Sequence, residues 1–476
     1  MEGKPAKEVA SAAGQPSRPG ADWWAPLLLG VVSLTLRIYR IDQGLWSDEI
    51  GSSTQYFHAA WLDLVTTFPN PTHHPLYSLL AKASILLLGE SEWTLRLPAL
   101  ISGALTPPAL YYLGRRLGGR AVGLLAGGLL VFSMWHVWFS QDARGYSTML
   151  LFSVIASVLF LRLRQEWSPT LAAGYALATL ASVYAHLYGV MVPLAHLLLA
   201  ATAGWRRREW RLPATVAAAL LLCAAAYAPL AAGAWHYAHA EGHADPSRSL
   251  GPGFLLELVE GWSIGDAPAL LALPFLALAA AGLVRVARRD RFQAWFLLLP
   301  LALGIGFAAV TRTFVYHRFF LYGLPGFLIL AATGAEAAAR WSRRPRLLLP
   351  LLAALLVCLT LPGLVKYYRL GKQPLRDVAR WVDTQPPGTV AYTAGMANWV
   401  FRTYCSYALP LPPGPPRPED LRRAVVVVAH PWSAGRGLLL ELKSLCGPPT
   451  VWPAAGYREN EVLVFDCQSV LGGVGP

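Results

Sequence analysis

Long apolar runs alternate with short polar linkers over most of the chain. Between Trp23 and Val365 the runs reach the roughly 17–25 residues that a helix needs to cross a bilayer. About eleven membrane spans are therefore predicted. The predicted spans are residues 22–40, 93–113, 121–139, 146–163, 169–185, 188–204, 212–234, 267–286, 292–310, 318–339 and 347–365. An odd number of spans places the two ends of the chain on opposite sides of the membrane.

The overall composition agrees with this pattern, because 55% of the residues are hydrophobic and only 14% are charged. Soluble domains contain about 25% charged residues. Mean hydropathy is +0.41. The sequence thus predicts an all-α polytopic membrane protein over residues 22–365, preceded by a disordered cytoplasmic tail at residues 1–21.

Arginine is distributed unevenly between the linkers. Every second linker is strongly basic, and the others carry acids, histidines and aromatic residues. The basic linkers are residues 114–120, 162–166, 206–211, 285–291 and 340–346. Basic linkers remain on the cytoplasmic side of a membrane. The net charge of +13 therefore reflects membrane topology and not a nucleic-acid surface, and no nucleic-acid partner is expected.

One apolar segment, residues 75–89, does not fit as a span. At about 15 residues it is short for crossing a bilayer. If it crossed, every later basic linker would move to the outer side. We predict that it is an interfacial or re-entrant helix within a long first outer loop.

The C-terminal part, residues 366–476, has a different pattern. The stretch "RDVARWV" has helical spacing, and "GTVAYTA", "RAVVVVAH" and "NEVLVFD" are typical of strands. We predict a small α/β soluble domain on the outer side of the membrane. Cys405, Cys446 and Cys467 allow one disulfide there, with one thiol left over.

Ionisable residues collect at the outer ends of the predicted spans. The set comprises Asp48, Glu49, His73, His74, Asp142, Arg144, His186, His317 and Arg318. Charges favour span ends in any membrane protein, because an ion at the bilayer centre costs roughly 2.5–3.5 kcal/mol. Their concentration in the outer loops nevertheless indicates a functional site.

Five segments around these residues resemble the GT-C-fold glycosyltransferases, especially the bacterial relatives of protein mannosyltransferases and aminoarabinose transferases. The segments are "RIYRIDQGLWSDEIGS", "HHPLYSLLAK", "RLPALISGALTPPALYYLGRRLGG", "SQDARGYSTML" and "YHRFFLYGLPGFLIL". The resemblance extends from about residue 30 to about residue 340. His74 stands where the family usually has a proline, before Pro75.

The resemblance implies an enzyme of the cytoplasmic membrane. It would transfer a hexose or pentose from a polyprenyl-phosphate donor to a glycan, lipid or protein acceptor on the outer face. Asp48 matches the family's catalytic aspartate, so it is the expected base of a single inverting displacement. Glu49, its neighbour, is the second catalytic candidate and could instead orient an arginine or contribute to a metal site.

Arg318 is the expected ligand of the donor phosphate, because a guanidinium binds phosphate oxygens bidentately. Arg144 matches the family's Arg–Tyr motif together with Tyr146, and His317 is a further phosphate candidate. Expected supporting residues are Asp142, His73, His74, Tyr146 and Arg96. Arg37, Arg40 and Arg96 lie near the outer boundary against the positive-inside pattern, which makes each a candidate for contacts with the carrier or a loop acid.

A divalent metal is not required by these residues and is not excluded by them. His236, His239 and His243 would share one helical face. Outer loops commonly carry histidines without a metal. We assign no metal ligands.

Two other classes of protein fit the pattern less well. Transporters and flippases usually place ionisable residues within their spans and show internal repeats. The spans here carry almost no central charge. A non-catalytic scaffold would have no need of the acid and cation set.

Overall fold

The computed structural model describes residues 23–70, 72–240, 250–311, 315–456 and 460–471. The predicted tail at residues 1–21 lies outside the described residues. The first helices are α1 (Trp24–Ile38), α2 (Ser47–Ser52), α3 (Asp63–Thr66), α4 (Pro75–Leu88), α5 (Glu92–Gly118), α6 (Arg120–Phe132), α7 (Met134–Ser140), α8 (Tyr146–Leu163) and α9 (Pro169–Ala185). They are followed by α10 (Met191–Arg207), α11 (Arg211–Tyr227), α12 (Ala231–Ala240), α13 (Pro252–Ser263), α14 (Leu273–Arg289), α15 (Arg291–Thr311), α16 (Leu324–Trp341) and α17 (Pro345–Leu370).

Helices occupy every segment predicted to span the membrane. Within the described residues, 6 helices are long and apolar enough to cross, and the bent pair α6–α7 would make 7. Helix α1 and residues 187–202 are apolar but shorter. The chain is a multi-pass membrane protein, and the number of spans stays a prediction.

A bend of 63° separates α6 from α7. Carbonyl groups near the end of α6 face a buried cation at this break. Arg37 on α1 lies 3.4 Å from the carbonyl oxygens of both Leu130 and Val131, and its Nη2 lies 2.6 Å from His136 Nδ1. Arg37 is fully buried. It therefore caps the bend, and it has this structural role in place of the expected contact with a carrier.

Arg40 also serves the fold. It has a left-handed backbone, with φ 58°, and donates to the carbonyls of Tyr368 and Arg369 at the end of α17. This contact joins the loop after α1 to the end of the long helix α17.

The C-terminal part contains α18 (Leu375–Asp383), β1 (Val390–Gly395), α19 (Ala397–Val400), β2 (Leu409–Pro410), α20 (Pro418–Leu421), β3 (Ala424–Ala429), α21 (Pro431–Ala434), α22 (Arg436–Cys446), β4 (Thr450–Trp452), β5 (Val462–Asp466) and α23 (Gln468–Leu471). The helix and the three strands predicted from the sequence are present. The sheet order is β2-β1-β3-β5-β4. Strands β1, β2 and β3 are parallel, and β5 runs antiparallel to β3 and β4.

Strand β3 is buried throughout, which explains why its valine run does not alternate with polar residues. Successive side chains of a strand point to opposite faces. Val425 and Val427 belong to the same buried cluster as Leu45 and Ile50 from the region between α1 and α3, whereas Val426 belongs to a cluster on the other face of the sheet. The sheet is therefore docked directly on the segment that carries Asp48.

The cysteine expectation is confirmed in its simplest form. Cys446 and Cys467 form a disulfide, and Cys405 is a buried free thiol. The bridge fastens the end of α22 to the residue after β5.

Candidate functional site

Helix α2 holds the acid pair, and its first turn is held from several directions. The backbone N–H of Trp46 donates to Glu49 Oε2 at 3.3 Å, which caps the helix start. The indole Nε1 of Trp46 donates to Asp142 Oδ1 at 2.7 Å. The two acids on α2 consequently have different surroundings.

Glu49 is fully buried and both of its oxygens are occupied. Arg96 on α5 donates to them in a fork, with distances of 2.7 and 2.6 Å. The backbone N–H of Ala143 donates to Oε1 at 2.8 Å, and Lys372 Nζ lies 3.5 Å from that oxygen. Burial opposes ionisation of Glu49, but Arg96 and then Lys372 outweigh it and lower its pKa. This environment points to a positioning role for Glu49 and not to the catalytic role that the sequence suggested.

Asp48 has different partners. Its side chain is 25% exposed, and Oδ2 lies 3.1 Å from Arg318 Nη2. Burial tends to raise the pKa of Asp48, but Arg318 and then Arg144 outweigh this and lower it. Asp48 is therefore an ionised carboxylate with an open side, and it is paired with a cation.

Arg318 lies in a short 3-10 helix, His317–Gly323, that leads into α16. Its guanidinium lies over the ring of Tyr316, 3.9 Å from the centroid, and 5.7 Å from that of Trp46. These rings fix the plane of the guanidinium beside Asp48. The pairing joins two segments of the chain that the sequence predicted to meet at the outer boundary.

His317, the residue before it, makes different contacts. Its ring packs against Trp135 in a tilted arrangement with a centroid distance of 4.4 Å, and Nδ1 lies 3.6 Å from Glu257 Oε2. Neither contact is with a phosphate candidate. The geometry therefore gives less support to a phosphate role for His317 than for Arg318.

Arg144 approaches α2 from the turn before α8. Its Nη1 lies 3.5 Å from the backbone carbonyl of Asp48 and 3.3 Å from Ser52 Oγ, and its Nη2 lies 3.4 Å from His74 Nε2. The next residue, Gly145, has no room for a Cβ because the carbonyl of Ala185 lies against it. This close approach places Arg144 beside the end of α9.

The carboxylate of Asp142, an expected supporting residue, does not contact Arg144. Its Oδ1 accepts instead from Trp46 Nε1 at 2.7 Å and from Lys372 Nζ at 3.0 Å. Lys372 is fully buried and also donates to the carbonyl of Gln141 at 2.6 Å. Asp142 thus belongs to the buried network beneath α2.

Two buried histidines face Arg144 in a defined tautomer. The Nδ1 atoms of His74 and His186 accept from the backbone N–H groups of Gly145 and Tyr188, at 2.9 and 3.2 Å. Burial and then Arg144 lower the pKa of both rings, to about 3 for His186. A neutral ring that accepts at Nδ1 carries its proton on Nε2. Each ring is therefore protonated on Nε2, and in His74 that atom faces another donor, Arg144 Nη2, at 3.4 Å.

Several polar atoms here have no hydrogen-bond partner within the described residues. They include Arg144 Nε, the hydroxyl of Tyr146 and both ring nitrogens of His73. Buried polar atoms are almost always paired, and exceptions are frequent at ligand sites. Asp48 Oδ2 and Asp142 Oδ2 are among these atoms too. Two guanidinium groups, of Arg318 and Arg144, lie beside Asp48, and guanidinium groups bind anions such as phosphate.

Metal ligands are not found in the described parts of the chain. No group of three or more His, Cys, Asp or Glu residues is arranged there to hold an ion. His243 lies outside the described residues, so the predicted face of His236, His239 and His243 cannot be traced.

Lys372 is absent from the expectations drawn from the sequence. It follows the glycine that ends α17, in the unremarkable stretch "LGKQP". Its partner Asp142 is 230 residues away in the chain. No local pattern reveals a contact of this kind.

This architecture is that of the GT-C-fold glycosyltransferases. ArnT from Cupriavidus metallidurans in the apo state matches with a TM-score of 0.59 and 15% identity, over 94% of this chain and 98% of that chain. The same protein bound to undecaprenyl phosphate matches with a TM-score of 0.58 and 14% identity, over 96% and 100% of the two chains.

The archaeal oligosaccharyltransferase AglB from Archaeoglobus fulgidus, in complex with an inhibitory peptide and a dolichol-phosphate, is also similar. Its TM-score is 0.53 at 12% identity, over 92% of this chain and 74% of that chain. These likenesses confirm the fold expected from the sequence.

In sequence, residues 71–232 match the family of dolichyl-phosphate-mannose-protein mannosyltransferases. The matched segment includes His73, His74, Arg96, Asp142 and Arg144. No curated protein matches the chain. The resemblance to glycosyltransferases that use lipid-phosphate-linked sugars is thus supported by sequence and by structure.

Proposed function

We propose that the protein is a membrane glycosyltransferase that moves a sugar from a polyprenyl-phosphate donor to a glycan, lipid or protein acceptor. The observation that carries this proposal is the pair of Asp48 and Arg318, 3.1 Å apart, in which the side chain of Asp48 is 25% exposed and Arg318 is buried. It places a carboxylate base next to a phosphate-binding cation. The family match and the bound carriers in ArnT and AglB support the class of donor.

The reaction is a single displacement at the anomeric carbon. An acceptor hydroxyl forms the new bond to that carbon and gives its proton to Asp48, while the bond from the carbon to the phosphate oxygen breaks. The electron pair of that bond leaves with polyprenyl phosphate. A phosphate ester is already a good leaving group, so no general acid is needed.

The donor cluster stabilises the charge on the departing phosphate. Arg318 and Arg144 supply guanidinium groups, and the Nε2–H groups of His74 and His186 supply neutral donors. Fixed donors in a buried site stabilise developing charge without reorganising. Neutral histidines also avoid adding further cations next to Asp48.

Donor binding would also adjust the base. Arg318 lowers the pKa of Asp48 in the free protein. When a phosphate shares this guanidinium, the pKa of Asp48 rises toward its ordinary range. Asp48 then becomes a stronger base once the donor is in place.

We propose that the site faces the outer side of the cytoplasmic membrane. The basic linkers predict this orientation. The disulfide between Cys446 and Cys467 supports it, because such bonds persist in oxidising compartments.

The test uses purified protein in nanodiscs with undecaprenyl-phosphate-linked mannose, glucose and aminoarabinose. Release of undecaprenyl phosphate is measured by mass spectrometry, with cell-envelope extract from a deletion strain as the acceptor source. Asp48→Asn should lower transfer by about 10²–10⁴-fold, the usual contribution of a positioned base. Glu49→Gln should act mainly through stability, because Glu49 has no open face.

Two results would contradict the proposal. One is transfer by Asp48→Asn at the wild-type rate. The other is identical envelope glycans, glycolipids and glycoproteins in the deletion strain and its parent. The flippase alternative is tested in sealed vesicles that contain the purified protein. Movement of the intact lipid-linked sugar across their membrane would favour a flippase instead.

A further inference from the structure

The residues on either side of Asp48 are both held by a single pair of consecutive residues from the C-terminal part. Lys372 Nζ lies 3.5 Å from Glu49 Oε1, and Gln373 Oε1 accepts from the backbone N–H of Ser47 at 3.0 Å. Both donors and acceptors are buried. Asp48 lies between these two residues, Ser47 and Glu49.

A third residue from the soluble domain completes the contact. His430 follows strand β3 and has a left-handed backbone, with φ 52°. Its Nε2 lies 2.9 Å from Ser47 Oγ and 3.2 Å from Gln373 Nε2. Ser47 is thus held through both its backbone and its side chain.

We propose that Lys372, Gln373 and His430 are positioning residues for Asp48, so that the soluble domain forms part of the active site. The proposal rests on the glycosyltransferase function proposed above. Nothing in the family match covers these residues, because that match ends at residue 232. Their role follows from the contacts alone.

A short helix has little rigidity of its own. Helix α2 has 6 residues and continues directly into a 5-residue π-helical segment, Ser53–Phe57, and a helical stretch of this length is marginal without contacts from the rest of the protein. Its N-terminal N–H groups need partners from outside the helix. Gln373 supplies one to Ser47, and Lys372 supplements Arg96 on Glu49. Without them Asp48 would lose its fixed orientation toward an acceptor hydroxyl.

The charges in the network make Lys372 more than a packing residue. Glu49 and Asp142 place two carboxylates in one buried space. Of these two carboxylates, only that of Glu49 accepts the forked hydrogen bonds from Arg96. Lys372 lies within 3.0 Å of Asp142 Oδ1 and supplies the second cation. A buried carboxylate that loses its partner is strongly unfavourable.

The test compares Gln373→Leu with Gln373→Glu in the full-length protein. Leu removes the acceptor for the Ser47 N–H, whereas Glu retains it. Gln373→Leu should lower kcat by about 10–100-fold, because a small misplacement of a reacting group has effects of this size. The KM for the lipid-linked donor should change little, and Gln373→Glu should recover most of the rate.

Asp266→Ala is the matched control. Asp266 Oδ2 accepts from the Gly456 N–H at 2.8 Å and binds Lys366 Nζ at 2.7 Å, so it docks the same domain away from α2. It should leave kcat unchanged. An equal loss in Asp266→Ala would show that domain docking in general is what matters, and would overturn the positioning role.

Hydrogen–deuterium exchange provides a readout that needs no activity. In a peptide covering residues 45–52, one amide should exchange roughly five- to tenfold faster in Gln373→Leu, but not in Asp266→Ala or Gln373→Glu. Unchanged exchange would overturn the inference even if the proposed reaction were never observed. An inactive wild type with the expected exchange pattern would contradict only the proposed function.

If Gln373→Leu does not fold, a double-mutant cycle replaces it. Ser47→Ala and His430→Ala remove the same 2.9 Å contact from its two ends. The combined variant should lose no more kcat than the more severe single variant. Additive losses would show that the contact does not act as a unit and would contradict the proposal.

Discussion

At the scale of single residues, Asp48 and Glu49 show how one step along a helix separates two roles. Neighbouring helical side chains point about 100° apart. Glu49 points into the network of Arg96 and Lys372, while Asp48 points to Arg318 at a partly exposed surface. The carboxylate of Glu49, whose two oxygens both have partners, fits a structural role. The carboxylate of Asp48, which has an exposed side, is available for chemistry.

Much of this could be anticipated from the sequence. The Arg318 and Arg144 positions followed from membrane topology and the family motifs, and the structure brings both to Asp48. Gln373 and His430 could not be anticipated. They lie 326 and 383 residues from Ser47, and their contacts depend on how a separate sheet docks.

Arg318→Ala should weaken binding of undecaprenyl phosphate by about 10–100-fold, because hydrogen bonds to charged groups contribute roughly 1.5–3 kcal/mol. Arg318→Lys should restore binding only in part, since an ammonium lacks the planar fork. Calorimetric titration of the protein in detergent measures both. Arg343→Ala, an exposed arginine on the predicted cytoplasmic side, is the control. Wild-type affinity in Arg318→Ala would move the phosphate role elsewhere, with Arg144 tested next.

At the scale of elements, the apolar runs were sufficient to locate the long helices, because length and hydropathy determine what crosses a bilayer. Strands β1, β3 and β5 of the C-terminal part were predicted from their apolar stretches, but the short strands β2 and β4 were not. The bend between α6 and α7 was not predicted either. Its signals are Ser133 at the break and Arg37 on another helix, and only the packing of α1 against both helices connects them.

The capping role of Arg37 makes a prediction about stability. Arg37→Met should lower the melting temperature, because carbonyl groups at the end of α6 lose a charged donor worth about 1.5–3 kcal/mol. Arg37→Lys should not restore it fully, since one ammonium cannot reach all the acceptors. Thr35→Val is the control, because the hydroxyl of Thr35 bonds only to the carbonyl of Val31 within α1. An unchanged melting curve for Arg37→Met would refute the cap.

At the scale of the whole molecule, the predicted topology depends on whether helix α4 crosses the bilayer. His58, before it, lies 3.1 Å from Glu90, after it, and Lys82 donates to the carbonyl of Ala59 at 2.8 Å. The largely non-helical segment before α4 therefore runs alongside it. If α4 crossed the bilayer, that segment would have to cross too, and irregular backbone is not tolerated in lipid. This geometry supports an outer position for α4.

Cysteine labelling tests that arrangement directly. In a background with Cys223, Cys358 and Cys405 replaced, His58→Cys, Glu90→Cys and Arg402→Cys should react with a membrane-impermeant maleimide in intact cells. Glu166→Cys, Arg289→Cys and Arg343→Cys should react only after the membrane is opened. All six positions are exposed, so a failure to react reports the side of the membrane and not burial. Opposite results for His58→Cys and Glu90→Cys would contradict the contact between these two side chains and would show that α4 crosses without the segment before it. Every later linker, together with the C-terminal domain, would then change sides. Reaction of both His58→Cys and Glu90→Cys in intact cells, together with a protected Glu166→Cys, would place α4 on the outer side. Asp48 and the C-terminal domain that contacts α2 would then lie on the outer face, where a lipid-linked sugar and an envelope acceptor can meet.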